Sequence, residues 1–156
     1  MAIRVRVDNR NKRFALNLDF FRRLAGEVLK AVRVRGLSEL EIVFLSDKAI
    51  RPLNKKYMGK DRPTDVLSFN MDIGEFGRGK RFGEIFISSD TALKNSGIFD
   101  TSFEDELVLY VIHGILHLSG HEDYTPRDRA RMSKKQEILL ERICRKIDLS
   151  RALTIR

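Results

Sequence analysis

All three histidines of this 156-residue chain lie in one short stretch, residues 113–121. Two of them, His113 and His117, are four residues apart and stand among apolar residues. Four residues make about one turn of an α-helix, so a helix would place both rings on one face. Its apolar surface is too wide for a single stripe, which indicates a buried helix. The chain is therefore predicted to fold around a buried helix that carries two imidazoles.

The predicted helix has signals for its start and its end. Thr101 or Ser102 can act as the N-cap. Glu104 or Asp105 then takes the position that completes a capping box. Gly120 can end the helix, because glycine enters the left-handed conformation at little cost. After this turn the chain can fold back toward the two rings.

Two imidazoles one turn apart can bind one metal ion from a single helix. The alternative is a pair of core histidines bonded to backbone carbonyls, but two unpaired imidazoles in an apolar helix would be costly. A catalytic zinc site has three protein ligands and leaves a fourth position for water. Either Asp123 or His121 could supply the third ligand. The pattern favours a metal site built on His113, His117 and one of these two residues.

The net charge of +8 is distributed unevenly. Residues 1–36 carry ten basic and three acidic residues, and residues 126–156 carry ten and four. The segment between them, 37–125, carries ten basic and fifteen acidic residues. Such basic ends favour a polyanionic partner, most simply a nucleic acid. Arginine-rich helices can also be solvated surfaces, as in heat-adapted proteins.

The composition also indicates a compartment. Cys144 is the only cysteine, so no internal disulfide can form, as expected in a reducing cytoplasm. We expect its side chain to be a small core residue. No stretch approaches ~18 consecutive apolar residues, and the first residues lack a signal-peptide core. We therefore expect a cytoplasmic protein with no membrane partner.

The order of predicted elements is typical of an α+β fold. Strands are expected at about residues 2–8, 39–46, 65–70 and 83–88, and helices at about 17–34, 46–57, 88–93, 101–120 and 126–147. We predict a single domain, residues 1–156, with a mixed sheet of about four strands, packed helices and a zincin-like metal helix. The second strand is a continuous apolar run, as in strands covered on both faces. Pro52 should interrupt the second helix. A flexible hairpin connection is expected at Gly74, Gly77 and Gly79. The buried side of the last helix should be lined by Met132, Ile138, Leu139, Ile143 and Ile147.

Three segments make the chain resemble the YbeY family of bacterial endoribonucleases. The family's metal motif, H-G-x-L-H-L-x-G-Y-D-H, is matched by His113, Gly114, Leu116, His117, Leu118 and Gly120. A second family stretch, roughly N-x-x-Y-R-x-x-D-x-P-T-D-V-L-S-F-P, is matched by Asn54, Tyr57, Asp61, Pro63 and the run from Thr64 to Phe69. Gly83-Glu84-Ile85 is similar to the family's G-D-I strand.

The resemblance implies a zinc-dependent endoribonuclease for single-stranded RNA, with one Zn²⁺ per chain. It implies a role in ribosomal RNA maturation, including the 3′ end of the small-subunit RNA, and in ribosome quality control. The implied partners are ribosomal RNA or ribosomal subunits, and no DNA is expected. Water and the 2′-hydroxyl of the RNA both stay open as the nucleophile.

Two departures from the family pattern matter, one at the third ligand and its neighbourhood and one at Met58. The family's third ligand is a histidine six residues after the second; here Asp123 holds that position, and His121 holds the family's tyrosine position. Aspartate is an accepted zinc ligand, so the resemblance favours a site of His113, His117 and Asp123 with His121 as the rival. Met58 stands where the family has an arginine associated with activity. Arg62, a possible catalytic residue, or Lys60 could replace its charge.

Two other functions stay open. A zinc peptidase of the H-E-x-x-H type needs a glutamate as general base, and Gly114 occupies that position. Glu122 or Glu84 could supply a base from elsewhere. A non-enzymatic ribosome assembly factor with a structural metal would also suit the basic ends, although structural zinc sites usually have four ligands.

Further polar and aromatic residues could belong to the site. Thr64, Asp65 and Ser68 could line a cleft, or could only begin a turn and a strand. Tyr57 and Tyr124 could stack on RNA bases, although packing within the protein is the simpler interpretation.

Overall fold

The computed structural model describes residues 3–72 and 81–154. Within these ranges the strands and helices are β1 (Arg4–Asn9), α1 (Leu18–Ala31), β2 (Leu37–Leu45), α2 (Asp47–Met58), β3 (Val66–Asp72), β4 (Arg81–Ser88), α3 (Ser89–Phe99), α4 (Phe103–Leu118) and α5 (Pro126–Cys144). A short 3-10 helix, Leu149–Ala152, follows α5. The predicted α+β fold with a four-stranded mixed sheet is confirmed. The expected hairpin connection at Gly74, Gly77 and Gly79 lies outside the described residues.

The sheet has the strand order β1-β2-β4-β3. Strands β1, β2 and β4 are parallel, and β3 is antiparallel to β4. The central position of β2 explains its continuous apolar run, because both of its faces are buried. Ile42 and Phe44 of β2 belong to the larger core cluster, whereas Val43 and Leu45 belong to a smaller cluster on the other face.

The metal-candidate helix α4 lies in the larger core. It packs on β3 and β4 of the sheet and also contacts α1, α3 and α5. Its buried apolar residues are Leu107, Val108, Val111, Ile112, Ile115, Leu116 and Leu118. The predicted buried helix is therefore confirmed. α2 contacts β2 and β4 and contributes Ile50 to the smaller cluster on the opposite face.

Both ends of α4 are fixed by specific hydrogen bonds. At its start, the Ser102 hydroxyl accepts a hydrogen bond from the backbone N–H of Asp105. At its end, Gly120 has a φ of +98°, the left-handed conformation expected for the stop. Asn70 Nδ2 and Arg81 Nη2 each donate to the carbonyl oxygen of Leu118 at 3.3 Å. Side chains from two strands therefore fix the last turn of α4 to the sheet.

Some predicted details were wrong. Ile138 is 51% exposed, because the face of α5 that packs on the core is formed by Met132, Leu139 and Ile143. Cys144 is exposed at the end of α5 and is no core residue. α2 continues through Pro52 without interruption. The helix expected to end near residue 93 runs on as α3 to Phe99.

A short bridge joins distant parts of the chain beside the start of α1. Leu16 pairs with Leu153 in an antiparallel bridge. The backbone N–H of Asn17 donates to the carbonyl of Ala152 at 2.8 Å, and that of Thr154 donates to the carbonyl of Ala15 at 3.1 Å. The residues after α5 are thereby fixed to the N-cap of α1. Among the described residues, no helix is long and apolar enough to span a membrane.

Candidate metal centre

Three side chains converge at the C-terminal half of α4. Nε2 of His113 and Nε2 of His117 are 2.9 Å apart. Oδ2 of Asp123 lies 3.5 Å from Nε2 of His113 and 3.4 Å from Nε2 of His117. One ligand atom from each residue thus lies within 4.8 Å of the other two. We call His113, His117 and Asp123 the triad.

The triad fits a small tetrahedral ion. Bonds of about 2.0–2.1 Å at tetrahedral angles place neighbouring ligand atoms about 3.3 Å apart. The two distances to the Asp123 carboxylate are close to this value, and the distance between the two imidazole nitrogens is a few tenths of an ångström shorter. Two imidazole nitrogens and one carboxylate oxygen are also a donor set that zinc accepts.

Gly114 sets the position of the two histidines above the sheet. A Cβ on Gly114 would lie 2.7 Å from Cγ2 of Ile85, so only glycine allows this approach of α4 to β4. Ser68 of β3 donates its hydroxyl to the carbonyl of Gly114 at 3.1 Å. The backbone between His113 and His117 is thereby held against both strands, and the two rings stay partly exposed, at 22% and 27%.

The environment of His117 favours the neutral imidazole. Partial burial lowers the pKa of His117, and the neighbouring His113 lowers it further. The carboxylate of Asp123 acts in the opposite direction but does not reverse the shift. A metal ligand must be deprotonated, so this ring is in its binding form at neutral pH.

Gln136 of α5 contacts the triad and was missed by the sequence analysis. Its Oε1 lies 2.6 Å from Nδ1 of His113. The signal was available, because Gln136 is a polar residue on the face of α5 that otherwise buries Met132 and Leu139. It is also the only glutamine in the chain.

The structure places His121 away from the triad. Its Nδ1 lies 2.8 Å from Oγ of Ser119, and Lys135 donates to its Nε2 at 2.5 Å. It lines a groove of about 370 Å³ between α1, α4 and α5, together with Lys135 and Leu116. The structure therefore brings Asp123, and not His121, close to His113 and His117.

The predicted substitutes for the family arginine are not part of this cluster. Met58, Lys60 and Arg62 are exposed near the end of α2. Nδ2 of Asn54 donates to the backbone carbonyl of Arg62 at 2.8 Å. The described residues include no hydrogen bond or ion pair between the Arg62 side chain and the triad. A catalytic role of Arg62 stays a prediction.

The polar residues at the start of β3 have different contacts. Asp65 accepts a hydrogen bond from the N–H of Val66 at 2.7 Å and one from the hydroxyl of Thr64 at 3.3 Å. These bonds match the expected turn and strand-start chemistry. Ser68 instead donates its hydroxyl to a backbone carbonyl of α4. Tyr57 packs on Phe69, with ring centroids 5.0 Å apart.

Neither glutamate considered as a base contacts the triad. Successive residues of a strand point to opposite faces of a sheet. Because Ile85 faces α4, Glu84 points to the other face. There, partial burial and the cross-strand neighbour Glu41 raise the pKa of Glu84. Glu122 is exposed beside the Gly120 turn.

Fold and site together define a mixed-sheet protein with a candidate metal cluster on a buried helix. The sequence model described as endoribonuclease YbeY matches residues 6–144. The chain is 34% identical over 143 residues to endoribonuclease YbeY of Syntrophus aciditrophicus, covering 89% of each chain. It is 37% identical over 147 residues to that of Geobacter metallireducens, covering 90% of this chain and 97% of the relative. The chain belongs to the YbeY family of endoribonucleases, as the resemblance predicted.

A solved structure supports the same fold. The solution structure of TM1509 from Thermotoga maritima matches with a TM-score of 0.59 and 29% sequence identity. The match covers 88% of this chain and 87% of that one. The closer comparison of α4 with the metal helix of zincins stays a prediction.

Proposed function

We propose that this chain is a single zinc-dependent endoribonuclease domain, residues 1–156, that cleaves single-stranded RNA. We propose that it acts in ribosomal RNA maturation, including the 3′ end of the small-subunit RNA, and in ribosome quality control. The observation that carries the proposal is the convergence of two imidazole nitrogens and one carboxylate oxygen within 4.8 Å. It occurs in a member of an endoribonuclease family. His113 and His117 match the metal motif that the resemblance supplied, and Asp123 stands at the position of its third ligand.

In this proposal His113, His117 and Asp123 hold one Zn²⁺ per chain. When bound, zinc would supply Lewis acidity at a phosphoryl oxygen and lower the pKa of water. Three protein ligands leave a position for water or substrate, as in catalytic zinc sites. The aspartate places a negative charge beside the ion, which should make bound water less acidic than a site of three histidines does.

The charge of the neighbouring helix supports an RNA substrate. α5 packs against α4, and its basic residues Arg127, Arg129, Arg131, Lys134 and Lys135 are exposed. A basic surface next to the triad would attract the phosphates of a single strand. The sole cysteine forms no internal disulfide, which supports the cytoplasm as the proposed compartment. Ribosomal RNA or ribosomal subunits are the proposed partners, and DNA is not.

The geometry gives less support to the two alternatives. A peptidase would need a general base near the metal. Gly114 holds the position of that base, Glu84 points to the other face of the sheet, and Glu122 is exposed. A purely structural metal would be expected in a closed site of four ligands. The triad offers three ligands, and its histidines are partly exposed.

The test compares the wild type with His117→Ala and with the control His121→Ala. We expect about one zinc per chain in the wild type and in His121→Ala, and none in His117→Ala. Cleavage of a ribosomal RNA fragment with a single-stranded 3′ end should follow the zinc content, and DNA of the same sequence should stay intact.

Three outcomes would contradict the proposal in different ways. Cleavage that survives complete removal of zinc would exclude the metal mechanism. A wild type that binds zinc, unfolds without it and cleaves no RNA would favour the assembly factor. Cleavage of peptides instead of RNA would favour the peptidase.

A further inference from the structure

We infer that Gln136 is a positioning residue that fixes the tautomer and direction of the His113 ring for metal binding. This inference rests on the proposed metal role of the triad. It concerns the contact between α5 and α4, which the metal motif does not include. Gln136 touches no reacting atom and would act only through His113.

The inference begins with the hydrogen bond between the two side chains. Nδ1 of His113 and Oε1 of Gln136 are 2.6 Å apart. An amide oxygen only accepts, so Nδ1 must carry the proton and donate it. A neutral imidazole has one protonated nitrogen, which leaves Nε2 of His113 with a free lone pair.

That lone pair points into the triad. Nε2 of His113 lies 2.9 Å from Nε2 of His117 and 3.5 Å from Oδ2 of Asp123. Between the two rings alone, either nitrogen could be the donor of the bond at 2.9 Å. Gln136 removes this ambiguity, because it makes Nε2 of His113 the acceptor. The opposite tautomer would place a proton where the ion must bind.

The position of Gln136 on α5 restricts where its side chain can go. Met132 lies four residues before it and Leu139 three residues after it, and both are buried against the core. Residues at these spacings share one helix face, so Gln136 extends from the face that packs on α4. A half-buried amide there needs a partner, and His113 supplies it.

The neutral amide also suits the charge of this site. Metal-bound histidines commonly donate their second N–H to a carboxylate, a carbonyl or water. The triad already contains one carboxylate, Asp123. Gln136 orients His113 without adding a second negative charge. Gln136→Glu should therefore keep the orientation while adding that second negative charge.

The experiment uses three variants of the full chain. Gln136→Met keeps the length of the side chain and removes the acceptor. Gln136→Glu keeps an acceptor and serves as the rescue. Glu137→Met, at the exposed neighbouring position of α5, is the matched control. Zinc affinity is measured by competition with a chelator, and thermal unfolding of the zinc-free variants reports the stability of the fold.

We expect Gln136→Met to weaken zinc binding by about 10–100-fold, the usual effect of losing a group that holds a metal ligand. Gln136→Glu should bind zinc at least as tightly as the wild type, and Glu137→Met should be unchanged. A Gln136→Met variant that is folded and binds zinc like the wild type would overturn the inference.

A second measurement does not depend on activity or on zinc. The ¹⁵N shifts of the His113 ring in zinc-free protein at alkaline pH report which nitrogen carries the proton. We expect the Nδ1–H form in the wild type and a shift toward the Nε2–H form in Gln136→Met. An Nε2–H form in the wild type would overturn the inference even if Gln136→Met fails to fold. If the wild type binds no zinc, the proposed function fails, while the ring shifts still test Gln136.

Discussion

Gly114 of α4 lies so close to Ile85 of β4 that an added methyl group would come within 2.7 Å of a side-chain carbon of Ile85. Gly114 directly follows His113 and precedes His117 by three residues. The contact of Gly114 with the sheet therefore determines how far both imidazole rings stand above the sheet. The missing side chain at this position, which removes the general base of a peptidase, is also what lets α4 approach the sheet.

We expect Gly114→Ala to destabilise the protein by about 1–3 kcal/mol, the usual range for overpacking a core. It should also weaken zinc binding, because α4 must move away from Ile85. The matched control is Gly97→Ala in α3, where nothing lies within 4 Å of the added carbon. This control should raise stability by roughly 0.5–1 kcal/mol. Urea unfolding measures the stability of both variants, and equal changes in stability would refute the packing argument.

Substitutions can show whether Asp123 or His121 is the third metal ligand. We expect Asp123→Ala to weaken zinc binding by more than the roughly 10–100-fold that follows loss of a group holding a ligand. His121→Ala should leave zinc binding unchanged, because His121 contacts Ser119 and Lys135 instead. Asp123→His should retain zinc, since histidine is an equally good ligand. Zinc affinities of the three variants provide the measurement, and a loss in His121→Ala alone would reverse the assignment.

The stability of the fold should depend on pH through Asp47 at the start of α2. Partial burial alone would raise the pKa of Asp47, but hydrogen bonds from Lys94, Ser88 and Thr91 hold it below its usual value. A carboxylate with a lowered pKa in the folded state stabilises the fold above its unfolded pKa, about 3.9. This contribution is lost as the pH falls through the lower pKa of the folded state.

We therefore expect Asp47→Asn to lose roughly 1.5–3 kcal/mol of stability at neutral pH, the range for hydrogen bonds to a charged group. The difference from the wild type should shrink once the pH falls below about 4. Urea unfolding at both pH values tests this. A difference that stays constant down to acid pH would show that the charge of Asp47 is not responsible.

RNA binding should depend on salt through the basic face of α5. With zinc removed by a chelator, so that no strand is cut, we expect Arg131→Gln with Lys134→Gln to reduce the salt dependence of RNA affinity. The logarithmic slope should fall by about 0.7 for each lost phosphate contact. Lys48→Gln with Lys56→Gln is the control, because these exposed residues lie on α2, which packs on the opposite face of the sheet. Equal effects of the two pairs would argue against a binding surface on α5.

The parts of the fold that depend on local signals could be predicted from the sequence. The Ser102 cap and the Gly120 turn predicted the two ends of α4. The apolar run of β2 predicted a strand buried on both faces. Hydrogen bonds within a turn and the alternation of a strand act over a few residues, so the sequence shows them directly.

How the helices dock could be predicted only in part. Gln136 was recognisable as a polar residue on the buried face of α5, but its partner was not. The rotation of α5 about its axis exposes Ile138 and turns Gln136 toward His113. Ile138 and Gln136 both fit the helical spacing of the buried face, and only the contact with α4 shows which of the two is turned inward. The choice between Asp123 and His121 also needed the structure. The backbone N–H of His121 bonds to the carbonyl of Leu116, which keeps this residue beside the helix end.

The bridge between Leu16 and Leu153 couples this fold to the order of protein synthesis. Ala152, the backbone partner of the residue that caps α1, emerges from the ribosome more than a hundred residues after that cap. Asp123 and α5 also follow the cap by more than a hundred residues. A nascent chain therefore lacks both the complete triad and the closing contact of α1 until these later segments have been made.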